Sequence, residues 1–122
     1  MHFVKMHGLG NDFVVFLEEE AAGVSSWSSF SLKVCDRHRG VGGDGVILVL
    51  PSSIADVRMR IFNSDGSEAE MCGNGIRCLA KFVFERGIVN KKEFTVETKA
   101  GIIIPRITGE EKGKVKKVKV NL

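Results

Sequence analysis

Cys72 stands directly before Gly73-Asn74-Gly75, and the residues that follow carry the apolar spacing of a helix. A helix start leaves its first backbone N–H groups without intrahelical partners and carries the positive end of the helix dipole, so it attracts anions. Glycine at 73 and 75 removes side chains that would obstruct a ligand approaching that backbone. The segment can therefore hold a carboxylate on its amides and place a sulfur beside the adjoining carbon, where it can exchange protons. A purely structural cap is the competing role. Asn11 and Asn63 each end a β-type run beside a turn, a place where side chains commonly line a site. Their amides donate and accept without charge, which suits the orientation of a zwitterion, although each also fits an ordinary turn.

Other chemistry-bearing patterns point less far. Gly40-Val41-Gly42-Gly43-Asp44-Gly45 satisfies G-x-G-x-x-G, but a dinucleotide loop must follow a strand and open a helix. Here a helical segment precedes it and a β-like run follows, so it reads as a tight reversal with positive φ angles. Cys35, Cys72, Cys78, His2, His7 and His38 contain no C-x-x-C or H-x-x-x-H pair, and no metal is expected. Cys35 and Cys78 fall inside helical segments and read as small buried hydrophobes.

The elements that must position these residues are mostly short β-type runs. His2–Met6 and Asp12–Leu17 flank the turn His7–Asn11, and Ser25–Ser29 can cap a helix over Phe30–His38. Val46–Leu50 is a continuous apolar run. Asp56–Phe62 alternates, with Val57, Met59 and Ile61 on one side and Arg58 and Arg60 on the other. Ser64-Asp65-Gly66-Ser67 is a turn by composition. The best helix covers Gly73–Arg86, with Ile76, Leu79, Ala80 and Val83 in one stripe and Gly87 placed to end it. Phe94–Thr98, Ile102–Ile107 and Val115–Val120 read as closing strands. The expectation is one α+β domain over residues 1–122: a mostly antiparallel, barrel-like sheet wrapped around the central helix.

Composition narrows the function classes. The net charge is +3, but residues 109–122 hold five Lys and two Glu, and the other 108 residues balance at 13 basic and 13 acidic side chains. The basic tail reads as a solvated face, so no nucleic-acid partner is expected. No apolar run approaches the roughly 20 residues that span a bilayer, and the start lacks a signal-peptide pattern. Three cysteines without a paired framework fit a reducing, cytoplasmic setting.

Taken together, the segment from Asn63 to Cys78 resembles the diaminopimelate epimerase signature N-x-D-G-S-x-x-x-x-C-G-N-G-x-R-C. Lys5–Phe13 resembles that family's opening segment, and Asp36–Gly45 is similar to its D-R-H-x-G-I-G-x-D-G loop. The three motifs occur in the family's order and span most of the chain.

The resemblance implies two similar domains, each a barrel-like sheet around a helix, with the site in the cleft between them. It implies interconversion of LL- and meso-diaminopimelate without pyridoxal phosphate or metal. Cys72 matches the first-domain catalytic cysteine, and Gly73 and Asn74 match the pair that holds the reacting carboxylate. Asn11 and Asn63 match contacts to the substrate's distal end. At the position of Gly45 some relatives carry Gln, whose side chain touches substrate. The family's second catalytic cysteine belongs to a C-terminal domain that this chain lacks, so the activity is expected of the complete protein. A racemase of the same fold acting on another amino acid, or a silent amino-acid-binding domain, are the alternatives. The sequence leaves a homodimer open.

Overall fold

The computed structural model describes residues 2–8, 10–21 and 23–121; Leu9 of the first turn, Ala22 and the two end residues lie outside them. Among the described residues, nine strands and two α-helices form an α+β unit. The strands are β1 Val4–Gly8, β2 Asn11–Leu17, β3 Gly45–Leu50, β4 Val57–Asn63, β5 Glu68–Ala69, β6 Val96–Thr98, β7 Gly101–Ile103, β8 Pro105–Glu111 and β9 Lys114–Val120. The helices are α1 Trp27–Val34 and α2 Gly73–Glu85.

The main sheet runs β1-β2-β3-β4-β6-β7, with β5 paired to β4, and β8–β9 form a separate ribbon. The pairings β2–β3 and β4–β6 are parallel and the other five are antiparallel. No closed barrel forms among the described residues; the strands make an open sheet and a separate ribbon. The sheet has a helix on each face, because β3 is apolar at consecutive positions. Ile47 and Val49 pack with α2, whereas Val46, Leu48 and Leu50 join the cluster under α1. A strand apolar on both sides must be covered on both.

Helix α2 supplies the main core. Ile76, Leu79, Ala80 and Val83 are fully buried, and Val115 and Ile107 of the ribbon belong to the same cluster. The ribbon is tied down where the Val115 amide donates to Glu85 at 2.9 Å. On the opposite face Phe16, Trp27 and Phe30 make edge and tilted ring contacts, with centroids 5.2–6.1 Å apart, that anchor α1.

Helix α1 begins earlier and ends earlier than its apolar spacing suggests. The Ser26 hydroxyl accepts from the Ser29 amide at 3.2 Å and starts the helix at Trp27. At the other end Asp36 accepts from the amides of His38 and Arg39, a local turn that competes with helix. The last carbonyls are taken by the glycine loop: Gly42 N–H donates to Val34 at 2.9 Å and Gly43 N–H to Cys35 at 3.3 Å. Gly42 has φ +84°, as expected of the reversal. A Cβ on Gly40 would lie 2.1 Å from the Lys33 carbonyl oxygen, so only glycine lets the loop pass this close.

Candidate active site

Cys72 occupies the N-cap of α2 in an extended conformation, with φ −147° and ψ 123°. Its carbonyl accepts the first helical bond, from Ile76 N–H at 2.9 Å. Its side chain makes no capping hydrogen bond, and among the described residues its sulfur has no hydrogen-bond partner. The residue is half-buried and packs against the main core. The other two cysteines are buried, at 5% exposure for Cys35 and 4% for Cys78. Burial raises the thiol pKa of Cys35 and pushes that of Cys78 up to about 11. Of the three thiols, only that of Cys72 is set at a helix mouth with part of its surface in solvent.

Gly75 differs from the role its position suggested. A Cβ there would come within 2.7 Å of Ile61 Cδ1 on β4, and the residue is buried. Its lack of a side chain lets the first turn of α2 lie against the sheet, and ligand access is not the reason for it. Gly45 is similar, since a Cβ would meet the Phe62 carbonyl oxygen at 2.9 Å and the Phe13 ring at 3.3 Å. No side chain fits there without movement of the β2–β3–β4 packing.

The predicted polar residues gather at one end of the sheet. Asn11 opens β2, Gly45 opens the parallel β3, and Asn63, paired with Gly45, closes β4. Asn74, one residue into α2 beyond Gly73, donates from Nδ2 to Asn11 Oδ1 at 2.7 Å. The helix mouth and the start of β2 are thereby one unit. Among the described residues no hydrogen bond joins Asn63 to that pair. Its amide belongs to its own turn, where Nδ2 donates to Ser67 Oγ at 3.0 Å and N–H donates to the Ser67 carbonyl at 2.7 Å. Ser67 in turn donates to Asp65 Oδ1 through its hydroxyl, 2.6 Å, and its amide, 2.9 Å. Those bonds hold the Asp65 carboxyl below its ordinary pKa.

Several supporting residues carry no motif of their own. The Asp44 carboxylate accepts from Asp12 N–H at 2.7 Å while Asp44 N–H donates to the Asp12 carbonyl at 2.8 Å, locking the glycine loop beside Asn11. His7 pairs with the Asp12 carboxylate, and that bond, with Lys5 and Arg37 nearby, lowers the Asp12 pKa. Arg37 reaches both carboxylates, at 3.7 and 3.5 Å. Arg60 grips Glu68 through two nitrogens, at 2.9 and 3.0 Å, and so fixes the short strand that leads to Cys72. Acidic residues beside glycine turns are the sequence signal for the Asp12–Asp44 lock. Among the described residues no cluster of three His, Cys, Asp or Glu side chains could cage a metal.

The arrangement offers a sulfur, adjacent helix-start amides and neutral polar groups at one sheet end. A family described as diaminopimelate epimerase matches residues 3–122. The chain is 60% identical over 120 residues to diaminopimelate epimerase of Caldanaerobacter subterraneus subsp. tengcongensis, covering 98% of this chain and 42% of that protein. For the Heliobacterium modesticaldum enzyme of the same name the identity is 56% over 124 residues, covering 100% and 44%. The chain thus spans less than half the length of these curated relatives. In fold it is similar to a probable proline racemase from Agrobacterium radiobacter K84, with TM-score 0.77 and 22% identity over 97% of this chain and 40% of that one. It is similar also to a methylitaconate-delta-isomerase, with TM-score 0.74 and 17% identity over 93% and 35%. The match over residues 3–122 places this chain in the diaminopimelate epimerase family.

Proposed function

We propose that this chain forms the first half of an epimerase that interconverts LL- and meso-diaminopimelate, using thiols and neither pyridoxal phosphate nor metal. The observation that carries the reading is the half-exposed sulfur of Cys72 at the N-terminus of α2. In one direction a Cys72 thiolate takes the proton from the α-carbon. Its electron pair delocalises into the carboxylate, which the Gly73 and Asn74 amides hold at the helix start. A thiol on the opposite face, contributed by the remainder of the complete protein, then returns a proton to the carbon. The reverse direction exchanges base and acid, so the two-thiol scheme needs both halves. Helix α2, between the main sheet and the β8–β9 ribbon, serves as the central helix of a barrel-like unit.

The hydrogen bonds also divide the distal contacts. Asn63 commits Nδ2 to Ser67, which leaves Oδ1 as an acceptor for an ammonium group. Asn11 commits Oδ1 to Asn74, which leaves Nδ2 as a donor for a carboxylate. A substrate with a second amino-acid end satisfies both, which favours diaminopimelate over a shorter amino acid.

The test is to incubate the purified chain with LL-diaminopimelate in heavy water, alone and with the C-terminal half added. Inversion only in the mixture supports the proposal. Efficient inversion by the chain alone would overturn the two-thiol scheme.

A further inference from the structure

We propose that Ser28 and Ser31 on α1 are positioning residues that set the distal specificity of the site by fixing Asn63, an inference that rests on the role proposed above for Asn63. The two serines are three residues apart, so both hydroxyls leave the same side of the helix. Each bonds the turn that closes β4: Ser31 Oγ donates to the Asn63 carbonyl at 2.8 Å, and Ser28 Oγ donates to the Gly66 carbonyl at 2.5 Å. Ser31 is completely buried, one of only two buried polar side chains among the described residues, so its bond has no water to replace it. The turn is shaped to receive the helix. Gly66 has φ +89°, and a Cβ there would stand 3.0 Å from Ser28 Oγ.

The Asn63 carbonyl is bracketed by Ser31 Oγ and by Gly66 N–H, at 2.9 Å, while its side chain is held by Ser67. The opposite end of α1 is bonded to the glycine loop through Gly42 and Gly43, and that loop locks to Asp12 beside Asn11. One helix, fixed to the sheet by the Phe16–Trp27–Phe30 cluster, therefore spans the supports of both distal asparagines. The β2–β3–β4 register sets the spacing of the two asparagines, and the seating of α1 holds the turn that carries Asn63 in that register.

The experiment is a double-mutant cycle in the full-length protein, with kcat/KM for LL-diaminopimelate as the readout. Ser28→Ala and Ser31→Ala should each lower kcat/KM about five-fold, the loss typical of one hydrogen bond, chiefly through KM. In an Asn63→Ala background the same changes should have little further effect, whereas a merely structural role would give the full loss again. Lys33→Ala, on the exposed side of α1, is the control. If Ser31→Ala fails to fold, Ser28→Ala, at the exposed margin, decides the matter. Equal losses in both backgrounds, or none in either, would overturn the inference. Turnover by the wild-type protein in the same assay tests the underlying reading separately, and solvent exchange of the Asn63 side-chain amide needs no turnover at all. That exchange should quicken in both serine variants, and an unchanged rate would count against the positioning role.

Discussion

Asn74 Nδ2 donates to Asn11 Oδ1 at 2.7 Å across 63 residues of sequence, joining the mouth of α2 to the first residue of β2. The bond couples the amides that would hold the reacting carboxylate to a group that would read the distal end. In the full-length protein, Asn11→Ala and Asn74→Ala should each weaken substrate binding by about 1–3 kcal/mol. The double variant should cost clearly less than the sum, because the second change removes a bond already broken. Strict additivity would mean that the two amides act separately.

Cysteine accessibility gives a second prediction. Cys35 and Cys78 are buried with raised thiol pKa values, whereas Cys72 is half-exposed. Limited alkylation of the folded protein near neutral pH, followed by peptide mapping, should label Cys72 first. The other two should react only under denaturing conditions. Early labelling of Cys78 would show that α2 does not bury it as described.

The glycines should separate by what their missing Cβ would strike. At Gly40 the obstacles are the backbone oxygens of Lys33 and Val34, at 2.1 and 2.6 Å, which cannot swing away. At Gly75 the obstacle is the tip of Ile61, which can rotate. Gly40→Ala should therefore destabilise by about 3 kcal/mol or more and Gly75→Ala by about 1–2 kcal/mol in chemical denaturation, since overpacking a tight site typically costs 1–3 kcal/mol. The reverse order would contradict the account of the loop.

Much of this site was legible because its residues sit where local rules are strongest. The α2 stripe and Gly87 marked the central helix, and Cys72 before two glycines marked its mouth. The limits of α1 were not legible, because its start is set by the Ser26 cap and its end by bonds to a glycine loop that apolar periodicity does not register. The break between β7 and β8 was missed because the isoleucines of Ile102–Ile107 outweighed Pro105, which marks the start of a new strand where the chain leaves the sheet at Ile104 to begin the ribbon. Gly75 was read as open to ligand because burial against Ile61 is a tertiary fact. Ser28 and Ser31 could be placed on one helix face only once that helix was correctly bounded.

Acid should loosen the folded unit. Asp12, Asp56, Asp65 and Glu68 all have pKa values lowered by hydrogen bonds, and all but Asp65 by neighbouring cations as well. The unfolded chain therefore holds more protons than the folded one in this range. The stabilisation is fully present above the ordinary carboxylate pKa of about 4 and is lost as pH falls through the lower folded-state values. Thermal melts should show a flat midpoint from pH 7 to about 5 and a decline below about 4. A midpoint that rises on acidification would contradict the assigned ion pairs.

The central claim is that Cys72 moves the α-proton. Its most direct test is the rate of LL-to-meso inversion by the full-length protein carrying Cys72→Ala, compared with Cys35→Ala and Cys78→Ala of confirmed fold. Loss of a positioned acid–base group should lower the rate by about 10²–10⁴-fold in the Cys72 variant, while the other two retain most activity. Near wild-type inversion by Cys72→Ala would contradict the account.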